Sequence, residues 1–165
     1  MPEPIYPLAS STWGQEEINA INQVISSDMY TMGSKVKEFE IKYAKHFGHG
    51  HAVMCNSGSS ANLLMLALLK LKYKLTGDII VPAVGWSTSY FPVNQNGFTL
   101  NFVDVDPTTF NIDTTKIESA ITPNTCAIMA INLLGNPCDY DAIYKIADKH
   151  NLFVIHIIIM ENAGG

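Results

Sequence analysis

Residues suited to holding an anion cluster at Asn56-Ser57-Gly58-Ser59-Ser60, directly before an apolar helical run. Small residues let backbone N–H groups converge on a phosphate. Serine hydroxyls add donors, and a helix N-terminus adds partial positive charge. Gly58 permits close approach of a ligand to the backbone. A Ser-capped helix with no ligand is the plainer alternative for these residues. The loop is neither a Walker loop nor a G-x-G-x-x-G turn, which argues against nucleoside-triphosphate and dinucleotide binding.

Two further loops carry candidate chemistry. Val81-Pro82-Ala83-Val84-Gly85-Trp86-Ser87-Thr88 follows a strand-like run and offers Trp86, an aromatic face for a planar ring or a simple rim residue. Asn132-Leu133-Leu134-Gly135-Asn136-Pro137 follows another and offers Asn132, or a plain turn. The cysteines Cys55, Cys126 and Cys138 show no metal-ligand spacing, and no metal site is expected.

Positioning these loops requires alternating strands and helices. Apolar runs predict strands at His51 to Cys55, Asp78 to Val81, Thr99 to Val105, Cys126 to Asn132 and Leu152 to Ile157. Helical spacing predicts helices at Gln15 to Ser27, Lys35 to Phe47, Ser59 to Lys72, Ser87 to Gln95, Thr115 to Ala120 and Asp139 to His150. The pattern is α/β: a three-layer α/β/α arrangement around a mostly parallel sheet, with ligands outside the carboxyl ends of the strands. The first 14 residues, Met1 to Gly14, contain three prolines and read as an extended arm.

Composition narrows the classes. The chain has 165 residues, 47% hydrophobic and 15% charged, with net charge −5. The apolar content excludes a disordered chain. An acidic balance without a basic cluster argues against nucleic-acid binding. Lys35 to Lys45 interleaves with Glu38 and Glu40 and reads as a solvated helix face. Apolar stretches fall far short of the ~20 residues that span a bilayer. Unpaired cysteine spacing and the absence of a signal-like start point to a cytoplasmic protein.

In this order, Thr31-Met32-Gly33, Asn56-Ser57-Gly58-Ser59-Ser60-Ala61-Asn62-Leu63, Val81-Pro82-Ala83 with Trp86, Phe102-Val103-Asp104-Val105-Asp106, Asn111-Ile112-Asp113 and Leu134-Gly135-Asn136-Pro137 resemble the DegT/DnrJ/EryC/StrS sugar aminotransferase family. The resemblance implies a pyridoxal 5'-phosphate (PLP) enzyme, or its pyridoxamine form, with an aspartate aminotransferase-like large domain. It implies that residues 15–165 are an incomplete part of that domain. Gly58 and Ser59 would hold the phosphate and Trp86 would stack on the ring. Thr31, Met32, Gly33 and Asn132 would line the substrate. The loop N-S-G-S-S-A-N-L looks like the 3-dehydratase branch, which removes the C3 hydroxyl of a 4-keto-6-deoxy nucleotide sugar in dideoxysugar and O-antigen biosynthesis. An aminotransferase of the same fold and a non-catalytic pseudo-enzyme or interaction module are the alternatives. Implied partners are a nucleotide sugar, glutamate as amino donor and a second copy of the chain.

Two departures accompany the match. The family's catalytic Lys or His falls beyond residue 165, so no catalytic residue is assigned. The strand after Leu152 leads in the family to an E-D-N-C-E-S-M-G-like motif, whose Asp pairs with the pyridine nitrogen. Here the residues are Val154-Ile155-His156-Ile157-Ile158-Ile159-Met160-Glu161. Ile157 or Ile158 takes the Asp position, according to which end is aligned; Glu161 replaces it only if the strand slips. The expectation is an inactive N-terminal fragment of a longer enzyme.

Overall fold

The computed structural model describes residues 11–158. Most of the N-terminal arm and the Glu161 alternative lie outside that range. The chain divides into two units between Met54 and Cys55.

The first unit carries two helices, α1 (Gln15–Ser27) and α2 (Ser34–His46). The start of α1 is secured by the Glu17 carboxylate, which accepts the Gly14 N–H at 2.7 Å. The bond closes one of the donors a helix N-terminus leaves open. On α2, the Glu38 carboxylate receives Lys42 at 2.7 Å and Lys35 at 3.6 Å, so the charged face is solvated as its sequence implied. Phe39, Tyr43 and Phe47 form a row with ring centroids 5.5 and 4.6 Å apart.

His51 to Cys55 is not a strand. A strand exists through pairing, and no neighbour pairs with this segment among the described residues. The Met54 amide, which a ladder would use, donates instead to the Glu40 carboxylate at 2.8 Å.

The second unit is built on four parallel strands: β1 (Asp78–Pro82), β2 (Thr99–Val103), β3 (Thr125–Asn132) and β4 (Phe153–Ile158), in the spatial order β2-β1-β3-β4. β1 is buried along its whole length, as expected of a central parallel strand covered on both faces. The connecting helices are α3 (Gly58–Tyr73), α4 (Ser87–Gln95), α5 (Thr114–Ala120) and α6 (Tyr140–His150), with a short 3-10 turn at Leu133–Gly135.

Two cores give the expected three layers. Leu66, Leu69 and Val93 of α3 and α4 pack with Ile79, Val81, Met129, Ile131, Ile155 and Ile157 on one face. Ile117, Ile143 and Ala147 of α5 and α6 pack with Ile80, Ile128 and Ala130 on the other. Period-2 alternation along the strands sends odd-numbered residues of β1, β3 and β4 to the first face and even-numbered ones to the second.

The N-terminal end of the sheet is tied by Asp78, only 8% exposed. Its carboxylate accepts from Thr125 at 2.7 Å, Thr122 at 2.8 Å and Asn101 at 3.1 Å. Burial pushes its pKa up, but these hydrogen bonds outweigh burial and leave it below the ordinary value. A cavity of about 490 Å³ opens at this end, lined by Asp78, Asn101, Thr122 and Asn124 among others. It lies at the opposite end of the strands from the loops singled out by sequence.

Candidate functional site

The strand order reverses between β1 and β3: the chain runs outward to β2, then returns to β3 and moves to β4. Such a switch point opens a crevice beyond the carboxyl ends of the two strands. The loop after β1 carries Gly85 and Trp86, and β3 ends at Asn132. Trp86 is 53% exposed, leaving ring surface free for a planar ligand.

The N-terminus of α3 is open to solvent. Ser57 caps it, its Oγ accepting the Ser60 N–H at 3.2 Å. Gly58 and Ser59 are exposed in the first turn, and a Cβ built on Gly58 meets nothing within 4 Å. Backbone N–H groups of a first turn have no intrahelical acceptor, so they are available to a phosphate.

Asn62 joins this turn to the Trp86 loop. Its side-chain amide, 9% exposed, donates to the Thr88 carbonyl at 3.2 Å. That carbonyl needs a donor because Pro92, inside α4, has no N–H to return to it. The far end of α4 is held to α3 as well, through Lys70 donating to the Asn96 carbonyl.

Asn132 is tied into the fold through its Oδ1, which accepts the Cys138 N–H at 3.0 Å and the Tyr140 hydroxyl at 2.8 Å. Its Nδ2 donors are the part of the side chain suited to a ligand. The following loop is pinned by Asn111, 4% exposed. Asn111 donates to the carbonyls of Asn136 at 3.1 Å and Pro137 at 2.9 Å, and accepts the Leu133 N–H at 3.3 Å.

Gly58, Ser59, Trp86 and Asn132 therefore lie in one unit, around the carboxyl end of the sheet. Thr31, Met32 and Gly33 belong to the other unit, in the connection between α1 and α2. Asn62 and Asn111 fall within the family-like motifs, where residue type alone assigns them no role. The proline four residues after Thr88 was the legible signal for Asn62. Asn111 acts across 22 to 26 residues of sequence, and Tyr140 reaches back past a turn to Asn132, so neither left a local mark.

Other groups are poor candidates. Burial pushes the thiols of Cys126 and Cys138 up to about 11, which removes thiolate character. Among the described residues no group of three or more His, Cys, Asp and Glu could hold a metal ion. The His156 ring stacks on Tyr140 at 4.3 Å and meets the Tyr144 hydroxyl at 2.9 Å. Its ladder partner is Ala130, so it lies on the α5–α6 face, away from α3.

The model of the DegT/DnrJ/EryC1/StrS aminotransferase family matches residues 11–156. The chain belongs to this family. Similar members include two enzymes named GDP-4-keto-6-deoxy-D-mannose 3-dehydratase. The one from Yersinia pseudotuberculosis is 53% identical over 154 residues, covering 91% of this chain and 39% of the relative. The one from Escherichia coli O55:H7 is 49% identical over 154 residues, covering 91% and 40%. A solved E. coli structure of the same enzyme, with bound hydrated PLP, superposes with TM-score 0.86 at 48% identity, over 92% of this chain and 40% of that one. This chain thus spans about 40% of the length of these relatives.

A DegT/DnrJ/EryC1/StrS cofactor site can be tested on the residues present. The open first turn of α3 suits a phosphate, and exposed Trp86 suits a ring. Among the described residues, neither position aligned with the family's Asp carries a carboxylate. β4 alternation sends Ile157, 7% exposed, to the α3–α4 face, whereas Ile158 is exposed. Of the two alignments, only the one through Ile157 points to the face that α3 and α4 cover, and an aliphatic side chain stands there.

Proposed function

We propose that this chain is the cofactor-holding part of a PLP-dependent nucleotide-sugar 3-dehydratase, acting on a 4-keto-6-deoxy sugar linked to GDP. The observation that carries the reading is 53% and 49% identity to two enzymes of that name across 91% of the chain. Geometry supports it through the pairing of an open helix N-terminus with an exposed Trp86 at the switch point.

In this reading Gly58 and Ser59 bind the phosphate through backbone N–H groups and the Ser59 hydroxyl. Trp86 orients the ring from one side, and Asn62 keeps the two in register. Asn132 meets the substrate through its amide donors, and Thr31, Met32 and Gly33 line the sugar nucleotide. PLP, when bound, supplies a conjugated ring that takes up electrons as the C3 hydroxyl is lost. With Ile157 in place of the carboxylate, no acidic group among the described residues of β4 serves ring protonation, and this chain alone does not turn over. Residues 15–165 form part of a large domain, and the complete enzyme works as a cytoplasmic homodimer with glutamate as amino donor. Among the described residues no helix is long and apolar enough to cross a membrane.

Equilibrium dialysis against PLP tests the cofactor assignment. Saturable binding, weakened in Trp86→Ala and Ser59→Ala, is the expected result. Equal uptake by the wild type and both variants would remove these residues from the site. Turnover of GDP-4-keto-6-deoxymannose by this chain with PLP and glutamate would overturn the claim that it is inactive.

A further inference from the structure

Tyr90, on α4, reaches back beneath the loop that carries Trp86. Its hydroxyl donates to the Pro82 carbonyl at 2.8 Å. The ring is half-buried and meets Phe102 edge-on with centroids 5.5 Å apart. Gly85 lies directly over the hydroxyl. A Cβ built on Gly85 would fall inside the van der Waals envelope of the Tyr90 oxygen, 3.0 Å from Cζ and 3.5 Å from Ile131 Cδ1. A tyrosine tip usually yields to such a contact. This one yields only by surrendering its bond to Pro82 and its seat on Phe102.

We propose that Tyr90 is a positioning residue for Trp86, folding the Pro82–Trp86 loop around its hydroxyl, and that Gly85 is the residue that lets the loop close. Trp86 follows Gly85 directly and is the N-cap of α4, so the closure sets where the indole leaves the backbone. Burial pushes the Tyr90 pKa up to about 12, so the hydroxyl keeps its proton at working pH. The consequence for cofactor binding rests on the reading that Trp86 lies against the ring.

The test uses the full chain with Trp13→Phe, leaving Trp86 as the sole tryptophan. Acrylamide quenching of Trp86 is measured without ligand, and PLP affinity by dialysis. Tyr90→Phe is expected to alter quenching and weaken PLP by about fivefold, the loss of one hydrogen bond. Gly85→Ala is expected to weaken it by about tenfold through overpacking. In the Tyr90→Phe background, Gly85→Ala should cost less, because the oxygen it strikes is gone. Changes in melting temperature alone, with parental quenching and PLP affinity, would overturn the proposal. If Gly85→Ala fails to fold, Tyr90→Phe decides by the same two readouts. A parent that binds no PLP, with quenching still shifted in the variants, overturns the cofactor reading and upholds the positioning role.

Discussion

The Asn62 side-chain amide donates to the Thr88 carbonyl at 3.2 Å, across 26 residues of sequence. Pro92 creates the vacancy that this bond fills. Removing Asn62 takes away the protein donor of a carbonyl on an exposed residue, which costs about 0.5–1.5 kcal/mol. Asn62→Ala should therefore lower the urea midpoint, and less so when Pro92→Ala restores an intrahelical donor. Additive losses in the double variant would show that the two residues act independently.

Asp78 predicts an acid response. Burial raises its pKa, and the bonds from Thr125, Asn101 and Thr122 together lower it by more, so its net value is below the ordinary 3.8. A depressed carboxylate contributes stability that is complete above the unfolded value. That contribution is lost as pH falls through 3.8 and on through the folded value. Asp78→Asn should cost about 2–4 kcal/mol near neutrality, through lost charge-assisted bonds and a misplaced amide. Urea titrations at falling pH should show the gap between wild type and variant narrowing below 3.8. A gap independent of pH would remove the charge from the explanation.

Asn132 separates a structural from a ligand-binding end of one side chain. Its Oδ1 accepts from Cys138 and Tyr140, bonds that a carboxylate can also accept. Asn132→Asp should leave melting close to wild type, whereas Asn132→Ala should lose about 2 kcal/mol. Tyr140→Phe should lose about 1 kcal/mol by dropping one of the two bonds. Equal destabilisation by Asp and Ala would mean that the amide nitrogen, not the oxygen, holds the fold.

The α/β architecture was legible because its signals are local. Apolar runs such as Ile79 to Val81 and amphipathic spacing such as Ile143 and Ala147 do not need a partner to be recognised. His51 to Cys55 has the same strand-like character, yet pairing decides a strand, and Glu40 claims the amide a neighbour would have taken. The site loops were legible as small, aromatic and polar residues after strands. What binds them into one site was less so. The Asn111 and Tyr90 bonds reach backbone atoms that any residue type would supply, so nothing at the positions they meet marks them; for Asn62 only Pro92 hints at the open carbonyl.

The two isoleucines at the end of β4 give the sharpest test of the cofactor geometry. Ile157 pairs with Ile131 in the ladder and faces α3 and α4, while Ile158 pairs with Asn132 and is exposed. An Asp introduced at the first position enters an apolar face and should cost about 3 kcal/mol without ligand. The same change at Ile158 should be close to neutral. Because a ligand that binds only the folded state raises its melting temperature, PLP should stabilise Ile157→Asp more than the wild type. It should give Ile158→Asp no such gain. Thermal melts with and without PLP make the comparison. Equal responses from the two variants would mean that the ring does not sit on the α3–α4 side of β4, and the assignment of Trp86 and Ser59 to the cofactor would fall with it.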